Sequence, residues 1–198
     1  MTSWEEFRRS VTIPGQSRLR PATDASLDAF EKHAGIPLPR SYREFVKVFG
    51  ACALGRRGVM IAAPRRKRDK HSRFDLISKA DQMHGICKAS TMPAPDLPQP
   101  PDPAQTLRMV FFASDGMNKS FGWDPAEVSV ASNHEYAVYS RYSDYEPYTR
   151  LASSFEEFVL SFCLGEEVKR WREAGRPVGK KGFDYEPDED PRLYIAPY

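Results

Sequence analysis

Cysteine and histidine, the residues that most often hold transition metals, are scarce and scattered in this sequence. The 198 residues include three cysteines, Cys52, Cys87 and Cys163, and four histidines. An odd number of widely spaced cysteines in apolar surroundings is typical of buried free thiols in a reducing cytosol. No pair follows the H-x-x-x-H or C-x-x-C spacing of a zinc site. The sequence therefore predicts no disulfide framework, no metal site and no cofactor.

Long apolar runs and targeting signals are also missing. No apolar run approaches the ~20 residues that a membrane-spanning helix needs. Residues 1–6 contain neither the basic n-region nor the apolar h-region of a secretory signal. The 40% apolar and 12% aromatic content is that of a packed globule. We therefore expect a cytoplasmic protein with no membrane partner.

Local catalytic motifs are absent as well. The sequence contains no G-x-S-x-G elbow, no phosphate-binding loop and no dinucleotide fingerprint. One candidate remains, in which Asp115 and Asp124 face each other near a hairpin end, with Asn118, for acid–base work or a divalent ion. In the simpler interpretation, which we favour, Asp115 precedes Gly116 in a tight turn and Asp124 caps the segment after it.

A strong net charge of one sign is lacking too, because 29 basic residues are set against 27 acidic ones, but the charge is uneven. Residues 56–73 hold eight Lys or Arg against one Asp. Basic side chains can neutralise phosphates, so this run is a candidate nucleic-acid patch. No aromatic residue lies within Arg65–Arg73 to stack on bases, and we favour a solvated loop over nucleic acid as a partner. The candidate patch consists of Arg65, Arg66, Lys67, Arg68 and Lys70.

Residues 24–50 show the clearest helical pattern in the chain. Two apolar stripes at helical spacing predict two helices joined by a proline-fixed elbow. Asp24 is expected to cap the first helix, Gly35 to end it, and Pro39 to take the first helical position of the second. The stripes are Leu27, Phe30 and Ala34, and Tyr42, Phe45, Val46 and Phe49.

Further patterns predict the remaining elements. A capping box at Ser3 predicts an N-terminal helix, and Ser153 and Ser154 predict one that buries Phe155, Phe158, Val159 and Phe162. Strands are expected at 59–63, 107–113, 121–123 (ended by Asp124 and Pro125) and 136–140, and a helix between 72 and 87. Residues 51–57 are expected to be a loop, and 91–106, rich in proline, an extended connection. The prediction is one α+β domain in the order α-α-β-α-β-β-β-α, with a central antiparallel or mixed sheet of about 4–6 strands packed with helices.

Three groups of residues resemble the motifs of one protein family. They are Phe30-Glu31 with Gly35-Ile36-Pro37-Leu38-Pro39, Tyr42, Phe45 and Gly50; Phe112-Ala113-Ser114-Asp115-Gly116 with Phe121-Gly122-Trp123-Asp124; and Ala152-Ser153-Ser154-Phe155-Glu156-Glu157-Phe158. In this order they resemble the opening motif, the central hairpin and the closing helix of the SUKH superfamily, whose domains are of the Smi/Knr type. These landmarks extend over residues 24–164.

The resemblance implies a binding protein and not an enzyme. Bacterial SUKH proteins typically act as immunity proteins, which bind and block a cognate polymorphic toxin, often a nuclease or a deaminase. The alternative is a regulatory scaffold of the Smi/Knr type with host partners. The resemblance also implies a SUKH-like core at residues 24–165. The residues themselves indicate a basic insert at 64–73 and a proline-rich loop at 91–106, which do not match the family pattern. Residues 1–23 are expected to form an N-terminal helix and connection, and 166–198 an extra helix and an acidic tail.

One segment, residues 139–148, has the composition of a protein interface. Half of its residues are Tyr or Arg, the types enriched where interfaces concentrate their binding energy. Its acidic side chains suit a basic partner such as a nuclease toxin. The alternative, that the rings simply cover the core, stays open. The candidate partner-binding residues are Tyr139, Arg141, Tyr142, Asp144, Tyr145, Glu146 and Tyr148, with Asp115 and Asp124.

Overall fold

The computed structural model describes residues 4–10, 19–54, 58–64, 76, 102–115, 119–142, 146–164 and 195–197, with the backbone alone at residues 10 and 195–197. Besides a short 3₁₀ helix (Ala131–Asn133), five helices lie within these ranges. They are α1 (Trp4–Ser10), α2 (Asp24–Ala34), α3 (Arg40–Phe49), α4 (Pro103–Arg108) and α5, which begins as an α-helix (Phe155–Glu157) and continues as a π-helix (Phe158–Cys163).

The strands form one antiparallel sheet. They are β1 (Cys52–Leu54), β2 (Val59–Ile61), β3 (Val110–Ser114), β4 (Ser120–Val130), β5 (Glu135–Arg141), β6 (Thr149–Ala152) and β7 (Ile195–Pro197). Their order across the sheet is β6-β5-β4-β3-β2-β1-β7, and every neighbouring pair is antiparallel. The predicted α+β fold is confirmed: six strands come from residues 52–152, and the short C-terminal strand adds a seventh.

The two helices on either side of the elbow are confirmed, with corrections at their first residues. Gly35 ends α2 in the left-handed conformation, at φ 70°, as predicted. The cap of α2 is Thr23 and not Asp24, because the extended backbone of Thr23 lets its hydroxyl accept a hydrogen bond from the Ser26 amide at 3.3 Å. Ser26 Oγ accepts in return from the Thr23 amide at 3.1 Å. Pro39 precedes α3 as its cap residue, one position earlier than expected.

Helices α1, α2, α3 and α5 bury one face of the sheet through aromatic side chains. The Tyr42 ring lies 5.1 Å from both Trp123 and Phe155, and Phe112 stacks on Trp123 at 4.5 Å. Tyr42 also donates its hydroxyl to the carbonyl of Ala62 at 2.7 Å. The stripes read from the sequence are buried here as expected, except for Ala34, which is partly buried. Their buried members are Leu27, Phe30, Tyr42, Phe45, Val46, Phe49, Phe155, Phe158, Val159 and Phe162.

Strand β4 is longer than expected. The prediction that Asp124 and Pro125 end it is wrong, because it continues to Val130. Trp123 pairs with Val138, and the next β4 residue to pair with β5 is Val128, opposite Tyr136. Five steps along β4 therefore match two along β5, so the intervening residues form a large bulge, a place where proline is tolerated within a sheet.

Other short elements also differ from the prediction. Residues 52–54 form β1 within the segment expected to be a loop, and neither β6 nor β7 was expected. Residues 103–108 form α4, so the extended connection ends earlier and β3 begins at Val110 and not at Leu107. Helix α4 begins where Asp102 accepts from the Ala104 amide at 2.9 Å, with Pro103 in the first turn.

Several predictions lie outside the described residues and stay predictions. These are the helix between 72 and 87 apart from residue 76, the basic patch Arg65–Lys70, the proline-rich loop before residue 102, the extra helix and acidic tail up to residue 194, and residues Asp144 and Tyr145.

Candidate functional site

The segment predicted to bind a partner lies at the end of β5 and at the start of β6. Side chains alternate along β5, so Tyr139 and Arg141 point to the face of the sheet opposite α2, α3 and α5, which we call the outer face. A second apolar cluster lies there, formed by Met109, Phe111, Ala137 and Tyr139, with Tyr148 packed against it. We call the described part of the segment the tyrosine surface: Tyr139, Arg141, Tyr142, Glu146 and Tyr148.

Tyr139 anchors this surface to the sheet. It is 8% exposed and donates its hydroxyl to Glu127 Oε1 at 2.6 Å. Burial, together with the bond to the Glu127 carboxylate, raises the pKa of Tyr139 to about 12. The phenol therefore stays protonated at neutral pH and keeps donating to Glu127.

Arg141 and Tyr148 form a second layer over the outer face. Arg141 is 4% exposed, and its Nη1 donates to the Tyr148 hydroxyl at 3.3 Å. The guanidinium carbon also lies 5.4 Å from the centre of the Tyr148 ring, which is cation–π distance. The Tyr148 ring lies 6.5 Å from Tyr139 and 6.5 Å from Phe111. These contacts fix the ring of Tyr148 from several directions.

Tyr142 is the most exposed ring of the tyrosine surface. Its relative exposure is 47%, and the Lys119 ammonium lies 5.4 Å from its ring centre. Lys119 belongs to the β3–β4 turn, where its amide donates to Asp115 Oδ1 at 2.9 Å. Glu146 is also exposed. The Tyr142 ring is therefore open to solvent and lies within cation–π distance of Lys119.

Asp115 and Asp124 do not face each other. Asp115 lies beside the paired residues Ser114 and Ser120, whereas Asp124 lies beyond the pair Val110–Trp123, so the carboxylates lie at opposite ends of the β3–β4 ladder. The facing pair, the alternative that the sequence analysis did not favour, is not formed, since the hairpin register separates the two carboxylates. Asp115 closes the turn, as the simpler interpretation predicts.

Asp124 is a buried structural carboxylate. It is 0% exposed and accepts hydrogen bonds from Nε and Nη2 of Arg108, each at 2.9 Å. Its Oδ1 also accepts a hydrogen bond from the Ala126 amide at 3.0 Å. The hydrogen bond to Asp124 raises the pKa of Arg108. Asp124 thus ties α4 to the β4 bulge and offers no surface to a partner.

A family model described as the SMI1 / KNR4 family (SUKH-1) matches residues 21–161 of this chain, which is more than half of its length. The chain belongs to this family. Membership supports, at the level of the family, an immunity protein or a Smi/Knr-type regulator. No curated protein matches the chain. The matched range contains the tyrosine surface but neither α1 nor β7.

Two neighbours of the tyrosine surface in this SUKH-1 chain, Lys119 and Glu127, were not predicted from the sequence. Lys119 could have been found, because the central hairpin and the next strand bring Ser120 opposite Arg141. No local signal in the sequence connects Glu127 with Tyr139, since a bulge of unpredictable size separates them.

The described charges around the tyrosine surface are of both signs. Lys119 and Arg150 accompany Arg141, while Glu127 and Glu146 supply negative charge. Arg150 lies directly across from Tyr139 in the β5–β6 pairing. The SUKH-1 chain thus presents a mixed set of charges here, and the contribution of Asp144 lies outside the described residues.

Two further observations concern the described part of the chain. No group of three or more His, Cys, Asp or Glu side chains there is arranged to hold a metal ion. None of its helices is long and apolar enough to cross a membrane.

Proposed function

We propose that this SUKH-1 chain is a non-enzymatic immunity protein that neutralises a cognate bacterial polymorphic toxin, such as a nuclease or a deaminase, by direct binding. Family membership supports a role of this kind. We place the protein in the cytoplasm. Cys52 and Cys163 are buried free thiols, and burial raises the pKa of the Cys52 thiol, which suits a reducing compartment.

The observation that carries the proposal is the construction of the tyrosine surface. Tyr139, Arg141 and Tyr148 are fixed by hydrogen bonds and ring contacts, and the exposed Tyr142 follows directly after Arg141 in the chain. A ring held in place before binding loses little conformational entropy when a partner covers it. Tyrosine and arginine are also the residue types that dominate binding energy at interfaces. The surface therefore has the rigidity and the composition of a preformed binding site.

The family supports a second candidate function, a regulatory scaffold of the Smi/Knr type. The same surface would then bind a partner of the host cell and not a toxin. The two functions differ in their partner and not in the physical basis of binding. A search for the binding partner, and not the geometry of the site, distinguishes them.

The proposed function predicts that a neighbouring gene encodes a toxin domain, and it is tested by co-expressing that domain with this chain. We expect the chain to restore growth of cells that express the toxin domain, and the Val128→Ala chain to do the same. The Tyr142→Ala chain should restore less growth at equal expression. Continued killing by the toxin domain in the presence of the folded wild-type chain would contradict the immunity function and favour the scaffold.

A further inference from the structure

The C-terminal strand β7 covers one edge of the sheet. It pairs antiparallel with β1, with Cys52 opposite Pro197, Ala53 opposite Ala196 and Leu54 opposite Ile195. The family match ends at residue 161, so β7 is an addition to the matched domain. Without β7, β1 would be the last strand on that side. The chain thus uses its own C-terminal segment to complete the sheet.

The two edges of the sheet differ in chemistry. At the other edge, β6 carries Thr149 and Arg150, which are both exposed, and a charged edge strand resists pairing with another chain. Strand β1 consists of Cys52, Ala53 and Leu54 and contains neither charge nor proline. It therefore lacks the usual features that prevent an open edge from pairing with another chain. In the intact chain, β7 covers the edge of β1 and so prevents such pairing.

We propose that β7 is an edge-covering strand, and that β1, when β7 is removed, pairs with β1 of a second copy of this chain. An antiparallel pair related by a two-fold axis places Ala53 opposite Ala53 and Cys52 opposite Leu54. All of these side chains are uncharged, so no like charges meet in the pair. The inference goes beyond the proposed function and concerns a different part of the sheet from the tyrosine surface.

Chain connectivity explains why the intact chain uses its own strand. The 30 residues 165–194 link α5, followed by Leu164, to β7 within one molecule. Because the chain joins β7 to the rest of the sheet, their pairing is intramolecular, with an effective concentration on the order of millimolar. A second copy at micromolar concentration competes poorly with that. The intact chain is therefore expected to stay monomeric through this edge.

The test is the oligomeric state of a chain that ends at Pro191. At concentrations of tens of micromolar, sedimentation velocity should show the intact chain as a monomer and the shortened chain as a dimer. Replacing Ala53→Lys in the shortened chain should restore the monomer, because two lysines would face each other across the pair. Neutralising Asp188, Glu189 and Asp190 in the intact chain is the matched control and should leave it monomeric, since β7 is kept.

A cross-link identifies the paired strand. In a Cys87→Ser background, Ala53→Cys in the shortened chain should form a covalent dimer under mild oxidation, because opposite residues of antiparallel strands lie within disulfide range. Ala126→Cys, on the exposed bulge, should not form one. A monomeric shortened chain overturns the proposal, and so does a dimer without the Ala53→Cys cross-link. Loss of the folded circular-dichroism spectrum on shortening also overturns it, since β7 would then be required for folding.

Discussion

Glu135 connects two segments that lie 94 residues apart in the sequence. It is 5% exposed, and its two carboxylate oxygens accept from the amide of Ser41 at 2.8 Å and from its hydroxyl at 2.7 Å. Pro39 leaves α3 without a side-chain cap of its own. A carboxylate at this helix end satisfies a free N–H group and interacts favourably with the helix dipole. Glu135 therefore serves as the cap that the local sequence lacks.

The first prediction concerns this contact. Replacing Glu135→Ala leaves the Ser41 amide and hydroxyl buried without their partner, which costs about 1–3 kcal/mol. Urea unfolding should show this loss in the free energy of unfolding. Glu5→Ala, on the exposed side of α1, is the control and should change it by less than about 0.5 kcal/mol. Equal effects of the two substitutions would refute the capping role of Glu135.

Two glycines with positive φ, Gly35 and Gly50, are expected to differ in how much an alanine destabilises the fold. A Cβ on Gly35, at φ 70°, would meet nothing within 4 Å, whereas one on Gly50, at φ 66°, would lie 2.0 Å from the Arg20 carbonyl oxygen. Gly35→Ala should cost about 1–2 kcal/mol, the usual penalty of the left-handed region. Gly50→Ala should cost clearly more, because the backbone must also move. Thermal unfolding of both variants measures the difference, and a smaller loss for Gly50→Ala would contradict this geometry.

At the scale of elements, ion pairs on the surface hold α2 and α3 side by side. Arg43 bridges to Asp28 at 2.9 Å and to Glu31 at 2.8 Å, and Lys47 bridges to Asp24 at 2.9 Å. The hydrogen bond from Lys47 lowers the pKa of Asp24 below its ordinary value of 3.8. A group whose pKa is lower in the folded state stabilises the fold above its ordinary pKa. This contribution is lost as the pH falls through the lowered pKa.

The ion pair between Lys47 and Asp24 is expected to affect the titration of Asp24. Replacing Lys47→Gln should return the pKa of Asp24 toward its ordinary value, as should high salt, because the pair is exposed and screened. Carboxylate chemical shifts followed by NMR between about pH 2 and 6 measure this directly. Arg40→Gln is the matched control, because Arg40 forms its ion pair with Glu44. An Asp24 pKa that is the same in the Lys47→Gln and wild-type chains would disprove the pairing.

Elements with strong local patterns could be predicted from the sequence, and those that depend on distant partners could not. The apolar stripes of α2 and α3 and the glycines and prolines at their ends are local signals. The central hairpin β3–β4 likewise has its turn signal, Asp115-Gly116, between its two strands. Strands β1, β6 and β7 have three or four residues each, too few for a periodic signal, and exist because neighbouring strands pair with them. The continuation of β4 beyond Pro125 likewise depends on β5.

For the whole molecule, the order of the strands decides what is exposed. Four helices cover one face, and the β5–β6 end of the sheet carries Tyr139, Arg141 and Tyr148 on the other. The composition of residues 139–148 indicated an interface from the sequence alone, but not which rings are exposed. The structure separates them: Tyr139 is buried by its strand position, Tyr148 is packed on Arg141, and Tyr142 faces solvent. This division follows from long-range packing, which residue types do not encode.

In the proposed function, Tyr142 is the exposed ring through which the tyrosine surface binds its partner. The direct measurement is the dissociation constant, by titration calorimetry, of the toxin domain that the proposed function predicts in a neighbouring gene, with three chains: wild type, Tyr142→Ala and Val128→Ala. The two substituted side chains are similarly exposed, at 47% and 49%, but Val128 lies outside the tyrosine surface. We predict at least about 30-fold weaker binding for Tyr142→Ala, the loss of an interface residue worth ~2 kcal/mol, and little change for Val128→Ala. Equal dissociation constants for all three chains would contradict this role of Tyr142.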